Sequence, residues 1–417
     1  MRSPWWKRLR ILAGLAGGAL AACSSVRDAG TRPGESSPLL VVVSFDGFRW
    51  DYPELHGAPT LLAMAREGAR APLVPSFPSK TYPNHYTIAT GLRPEHHGIV
   101  ANTMRDPLWN ARFSLADRSA VEDGRWWEGE PIWVTAERAG LPTAASYWPG
   151  TEAEIGGIRP RDWRRYDDSV PDNERVDEIL GWLDRPEAER PRLLMLYFDE
   201  PDGAGHRFGP GSAETRAAVF HVDAMLAKLR AGVAARGLAS ATNWIVVSDH
   251  GMTDSPPERV IVLEELVHFA DIAEVDANVV GLIEPVPGRA AAVLEALARA
   301  HPHLHAARRE EVPERLHFRS HRRIPEIVVW VDPGWTLLAR RPEGGVARIS
   351  PGNHGYDPAA ADMHGLFIAQ GPAFRRGVAA PKLENVHLYE LFCALLGVAP
   401  AANDGDPGAT RWARRDP

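Results

Sequence analysis

The sequence predicts an α/β fold with a largely parallel central sheet flanked by helices, and three observations carry that reading. Short runs of apolar, β-branched residues recur along the chain. Amphipathic segments with a helical repeat follow them, and an Asp lies at or just beyond the end of three of the runs. With 417 residues, 44% hydrophobic and 24% charged, the composition is that of an ordinary globular protein and excludes wholesale disorder. A formal charge of −7 excludes a general nucleic-acid coat protein, so no stable nucleic-acid complex is expected. Sixteen His beside two Cys excludes a disulfide scaffold and directs any metal chemistry toward nitrogen and oxygen ligands.

Taken in order, residues 1–22 read as an address. Lys7, Arg8 and Arg10 precede an apolar run over 11–22, too short to span a bilayer but suited to the core of a signal peptide. The run ends Leu20-Ala21-Ala22-Cys23, which resembles a bacterial lipobox. That resemblance implies cleavage before Cys23, lipid on its thiol, and a periplasm-facing envelope anchor; Ser24 favours the outer membrane. Residues 23–37 read as a flexible tether, residues 38–400 as the main folded domain, and 401–417 as a polar tail. Cys393, in the apolar run 388–398, is expected to be a buried thiol.

Residues 39–45, Leu-Leu-Val-Val-Val-Ser-Phe, predict a buried strand. Residues 59–69 predict a helix with Leu61, Leu62, Met64 and Ala65 as its apolar positions and Gly68 near its end. Residues 193–198 predict a second strand. A helix follows over 215–236, its stripe formed by Val219, Val222, Met225, Leu226, Leu229 and Val233. Residues 244–248 and 365–369 complete the strands. The stretches 103–190 and 255–350 have weaker periodicity and read as insertions forming a small cap or subdomain. The His-rich segment 301–323 reads as solvated surface, since its spacing fits no metal-ligand pattern.

Asp46 follows the first strand, Asp202 and His206 the second, and Asp249-His250-Gly251 the third. Loops at the carboxyl ends of parallel strands converge on one crevice. A single Asp there is an ordinary turn residue, but the set recurs with His and Gly at successive strand ends. Converging carboxylates repel one another, and divalent cations remove that penalty. Mixed Asp/His ligation suits Zn²⁺ better than Mg²⁺ or Ca²⁺, and two such ions need about seven protein ligands. His354 and His364 both lie near the fourth strand, and spacing does not choose between them. In Ser79-Lys80-Thr81-Tyr82-Pro83, Pro83 suits a helix's first turn and places Thr81 at or near the N-cap, a natural anion site. A bound metal can stabilise its alkoxide.

These segments together resemble the nucleotide pyrophosphatase/phosphodiesterase family of the alkaline phosphatase superfamily. The matching pieces are Val43-Ser44-Phe45-Asp46-Gly47-Phe48, the Phe77 to Tyr86 segment, and Thr90-Gly91 through His97-Gly98 to Asn102. They continue with Tyr197, Pro201-Asp202-Gly203-Ala204-Gly205-His206, Ser248-Asp249-His250-Gly251-Met252, Gly352-Asn353-His354-Gly355-Tyr356 and Met363-His364-Gly365. The resemblance implies an alkaline phosphatase-like sandwich. It also implies one Zn²⁺ held by Asp46, Thr81, Asp249 and His250, and a second held by Asp202, His206 and His364. His354 is then left to orient a ligand. Thr81 is implied as the nucleophile, with the Asn102 amide donating to a non-bridging phosphate oxygen. Tyr82 and Tyr197 are implied at nucleobase-stacking positions, and Lys80 is a further substrate-binding candidate.

The implied activity is hydrolysis of nucleotide phosphodiester or phosphoanhydride bonds through a phosphothreonine intermediate, with overall retention at phosphorus. Thr81 disfavours a sulfatase, and Asn102, where alkaline phosphatases place an Arg, favours diesters over monoesters. A phosphomonoesterase, or a lysophospholipid or glycerophosphodiester enzyme of the same superfamily, is the alternative. A non-catalytic lipoprotein that binds phosphorylated ligands is a third.

Overall fold

All seven residues of the first strand, β1 (Leu39–Phe45), are buried, as continuous apolar character requires when both faces of a sheet are covered. The structure, a computed structural model, describes residues 38–341 and 349–415. The expected signal peptide, Cys23 and the tether lie outside the described residues.

The main sheet continues with β2 (Ala69–Val74), β3 (Thr143–Ser146), β4 (Asp162–Arg164), β5 (Leu193–Phe198), β6 (Thr242–Val247) and β7 (Gly365–Gln370). Their spatial order is β2-β7-β6-β1-β5-β3-β4, and two-residue strands at Val378–Ala379 and Leu383–Glu384 extend it beside β2. β1 pairs in parallel with both β5 and β6, with Val42 opposite Met195 and Ile245. β7 runs antiparallel to β6 and β2.

Alternation along the strands divides the core between two layers of helices. Val41, Val43, Leu194, Leu196, Val246 and Ile368 face one side, where α1 (Pro59–Glu67), α3 (Asp172–Trp182) and α5 (Ala213–Ala235) bury their stripes. Leu40, Val42, Met195, Ile245, Val247 and Phe367 face the other, covered by α2 (Thr81–Thr90) and α6 (Leu388–Leu396). A short helix, α4 (Asp202–Phe208), follows β5. On α5, Val219, Val222, Leu226, Leu229 and Val233 are buried, while Met225 is partly so. Cys393 is a buried free thiol on α6.

The stretch 103–190 differs from its reading as an insertion. After a hairpin of Thr103–Asp106 and Ala111–Ser114, it supplies β3, β4 and α3 to the main sheet and its helical layer. β3 is Thr-Ala-Ala-Ser and β4 is a three-residue edge strand, so neither carries the apolar run that announces a buried strand. Within 255–350, Ile272–Ala277, Val280–Pro285, Ile327–Val331 and Leu304–Arg308 form a separate four-stranded antiparallel sheet, with the Ala290–Leu297 helix beside it. Among the described residues, no helix is long and apolar enough to cross a membrane.

Candidate active site

The three strand-end Asp residues meet because backbone bonds tie the ends together. Asp46 N–H donates to Phe198 O at 2.9 Å, and Asp202 N–H donates to Asp46 O at 3.1 Å. Gly47 N–H donates to Asp249 Oδ1 at 3.2 Å. Gly47 has φ +63°, and a Cβ there would lie 2.8 Å from Asp202 Oδ1, so both backbone and space demand glycine. His206 stands one helical turn after Asp202 on the same face of α4, with its Nε2 3.4 Å from Asp202 Oδ2.

Three imidazoles are fixed in the same tautomer. Nδ1 of His206 lies 2.9 Å from Gly352 O, Nδ1 of His250 2.9 Å from Gly251 O, and Nδ1 of His354 2.8 Å from Ser79 O. A carbonyl can only accept, so each Nδ1 donates, and the Nε2 of each ring is the nitrogen left to offer a lone pair to a cation. Those lone pairs converge. His354 Nε2 is 3.1 Å from His206 Nε2 and 3.6 Å from Asp202 Oδ1. His250 Nε2 is 2.9 Å from Asp249 Oδ2 and 3.4 Å from Asp46 Oδ1. Ligand atoms of Asp202, His206 and His354 lie within 4.8 Å of one another, as do those of Asp46, Asp202 and His250.

Asp46 Oδ1, Asp202 Oδ1 and Asp249 Oδ2 are buried with no hydrogen-bond partner. Facing acceptors and buried carboxylate oxygens without donors call for a shared cation, so the residues fit divalent metal. The electrostatics agree. Burial, then Asp249 and Asp202, push the Asp46 carboxyl well above its ordinary range. Burial opposes the charge of Asp249, yet His250 and His85 hold it at about 2. Burial and the neighbouring His250 and His206 drive His354 far below the usual imidazole range, which preserves its lone pair.

Thr81 is the first residue of α2, with Lys80 at the N-cap. Its Oγ1 lies 3.3 Å from His250 Nε2, the ring nitrogen that faces Asp46 and Asp249. Asn102 Oδ1 accepts the Tyr82 N–H at 3.0 Å, which turns the amide NH₂ of Asn102 outward as its donor end. Lys80 is buried, and burial lowers its pKa. Gly355, at φ +110°, packs close by; a Cβ there would lie 2.5 Å from Val279 Cγ2 and 3.3 Å from Lys80 Cε.

Two sequence-based assignments are corrected. His364, expected in the second metal set, sits apart with Nε2 3.0 Å from Pro358 O, and His354 occupies its expected place. Folding turns the 352–356 segment inward, through the pairing of Gly352–Asn353 with Thr253–Asp254, and spacing carries no sign of that. Tyr197, expected to stack a nucleobase, is buried on β5 and donates its hydroxyl to Asp46 Oδ2 at 2.6 Å. Tyr82 is half-buried against Phe113 and Trp127. The sequence analysis gave no role to His85, which lies one turn after Thr81 on α2. Its Nδ1 donates to Thr81 O at 3.0 Å and lies 3.5 Å from Asp249 Oδ2, while its Nε2 accepts from Ser44 Oγ at 2.8 Å. With both nitrogens committed, His85 ties the start of α2 to Ser44 of β1 and stands beside Asp249; the helical i, i+4 spacing to Thr81 was the available signal.

Residues 40–357 match the family model described as type I phosphodiesterase / nucleotide pyrophosphatase. The chain belongs to this family. Human ectonucleotide pyrophosphatase/phosphodiesterase family member 5 is 38% identical over 388 residues, which cover 93% of this chain and 80% of that protein. Human member 1 is 35% identical across 95% of this chain, a match that spans only 44% of its own length. Among solved structures, murine member 5, an inactive threonine-to-alanine variant in complex with AMP, superposes with a TM-score of 0.86. It is 37% identical, and the match covers 91% of this chain and 100% of that one. As a type I phosphodiesterase / nucleotide pyrophosphatase, the protein is a hydrolase with the fold of the alkaline phosphatase superfamily.

Proposed function

We propose that the protein cleaves phosphodiester and phosphoanhydride bonds of nucleotides at a two-zinc centre, with Thr81 as nucleophile, releasing a nucleoside 5′-monophosphate. The observation that carries this reading is the convergence of three Nε2 lone pairs and three unpartnered carboxylate oxygens beside the Thr81 hydroxyl. Asp46, Asp249, His250 and Thr81 would hold one ion, and Asp202, His206 and His354 the other. Zn²⁺ bound there supplies Lewis-acid stabilisation of the attacking and leaving oxygens.

Thr81 Oγ1, its proton passing to solvent, attacks phosphorus in line as the bond to the leaving alkoxide or pyrophosphate breaks, which gives a phosphothreonine diester and the free leaving group. The Asn102 amide donates to a non-bridging oxygen, and Lys80 adds positive charge beside it. Tyr82 offers its ring to the base and Tyr197 keeps Asp46 oriented. Water then opens the phosphothreonine, so configuration at phosphorus is retained overall. A nucleotide substrate is supported by the AMP held by the murine relative.

The test compares p-nitrophenyl thymidine 5′-monophosphate with p-nitrophenyl phosphate, in the wild type and in Thr81→Ala. The diester should turn over faster, and Thr81→Ala should lose activity by at least about 1000-fold while retaining zinc on the remaining side chains. Faster monoester turnover, or an active Thr81→Ala, refutes the reading. The lipobox-like residues 20–23 support a second proposal: the exported chain is anchored through lipid on Cys23 and faces the periplasm, in the outer membrane. Labelled palmitate should enter the wild type and be absent from Cys23→Ser; equal labelling of both would refute the anchor.

A further inference from the structure

At the end of the main sheet away from Asp46 and Asp249, Thr242 opens β6 and Gln370 closes β7. A cavity of about 410 Å³ lies there, lined by Arg230 of α5, Arg376 and Arg415 against a single carboxylate, Glu67. The Arg230 guanidinium lies 5.2 Å from the centre of the Trp244 ring, and its Nη1 is buried with no hydrogen-bond partner. Burial lowers its pKa against only a weaker contribution from Glu67, so its charge is poorly compensated. Gln370 donates its amide to Glu67 Oε2 at 2.8 Å, which leaves its Oε1 buried and also unpartnered. Arg415 donates Nε–H to Phe374 O at 2.8 Å, which fixes it at the cavity wall.

Planar guanidiniums select phosphate-like oxyanions. The orphaned Gln370 Oε1 asks in addition for a donor. An anion that satisfies both groups carries a hydroxyl on its own acid centre. We propose that this cavity is a second anion site, remote from the catalytic centre, that binds a phosphate monoester group or inorganic phosphate in a form that keeps a hydroxyl on phosphorus. Sulfate, which has lost its last proton, and phosphodiesters, which have none, satisfy the arginines but not Gln370. The group can come from solution or from the headgroup of a membrane lipid.

The experiment uses the zinc-loaded full chain carrying Cys23→Ser, so that no acyl group interferes. Inorganic phosphate is titrated calorimetrically at pH 6, with sulfate in parallel, against the same chain carrying Arg376→Gln or Arg230→Gln. Arg376 is exposed, so its variant tests the site even if the Arg230 variant folds poorly. Flotation with phosphatidylcholine vesicles, with and without phosphatidic acid, separates the two sources. Besides phosphate held at the catalytic centre, which Arg376→Gln leaves in place, we expect a second phosphate site that binds sulfate at least tenfold more weakly and loses at least tenfold in affinity with Arg376→Gln. Hydrolysis of bis(p-nitrophenyl) phosphate should stay within twofold of wild type. Recruitment to phosphatidic acid that Arg376→Gln abolishes assigns the lipid headgroup; phosphate binding without recruitment assigns the free anion. Phosphate affinity unchanged in Arg376→Gln, or sulfate bound as tightly as phosphate, overturns the site.

Discussion

Asp46 takes a 2.6 Å hydrogen bond from Tyr197 on one oxygen and keeps the other unpartnered toward His250. The tyrosine therefore decides which carboxylate oxygen is free for a metal. Removing an outer hydrogen bond of this kind weakens metal affinity or activity by about 10–100-fold. Tyr197→Phe should show a loss in that range, chiefly in kcat, with zinc content falling at limiting metal. An unchanged kcat and zinc content would show that Asp46 holds its orientation without it. The two histidines near β7 give a sharper contrast. His354→Ala should lower zinc content and cut kcat/KM by more than about 100-fold, whereas His364→Ala should leave both within a few-fold. Elemental analysis beside steady-state kinetics checks the pair, and the reverse pattern would restore His364 to the metal.

At the scale of elements, α1 is positioned from outside itself. Its N-cap is Ala58, which offers no capping side chain. The N–H groups of Thr60 and Leu61 instead donate to the two carboxylate oxygens of Asp223, at 3.0 and 2.9 Å. Asp223 is buried on α5, so one side chain caps α1 and locks two helices of the same layer. Asp223→Ala leaves two buried donors unsatisfied and should cost about 2–4 kcal/mol, read as a lower urea midpoint at unchanged slope. Asp223→Asn, which keeps an acceptor, should lose less. In α4, Asp202 and His206 share a face because they stand four residues apart on one helix; where β5 ends decides that this face meets the end of β1, through the Asp202 N–H bond to Asp46 O.

At the scale of the whole molecule, the antiparallel lobe is tied to the rest through Arg323. Its Nε donates to Asp106 Oδ2 at 2.8 Å, and its Nη1 donates to Gly98 O at 2.8 Å and Trp126 O at 2.7 Å. Both members of the Arg323–Asp106 pair have fully buried side chains. Arg322 Nε also donates to Asp106 Oδ2, at 3.0 Å, so Arg323→Met leaves that carboxylate one partner. It strands the Gly98 and Trp126 carbonyls, which should cost about 2–4 kcal/mol and lower the thermal midpoint by several degrees. A midpoint equal to wild type would mean that the lobe is held by its apolar contacts alone. Metal acts on the same scale, since Asp46, Asp202 and Asp249 come from three strand ends. Zinc at a thousand times its Kd would add about 4 kcal/mol. Chelation should therefore lower the melting temperature and abolish activity, and added zinc should restore both. Activity that survives verified metal removal would refute a metal-dependent centre.

The sequence by itself determined the fold class, because β1, β5 and β6 are apolar on both faces and only a covered parallel sheet hides such runs. It also determined which residue types carry the chemistry, since Asp46, Asp202, His206, Asp249 and His250 follow strand ends that parallel topology brings together. What it left open lies where local pattern is silent. β3 and β4 lack an apolar run, and the antiparallel direction of β7 is a property of its neighbours. The choice of His354 over His364 came only with the tertiary structure: both are His before Gly near one strand, and a hydrogen bond to Ser79 O, 275 residues away in sequence, turns one of them toward the site. Tyr197 and His85 gained their roles in the same way, because a positioning hydrogen bond joins strand to strand or helix to loop and leaves no periodicity to read.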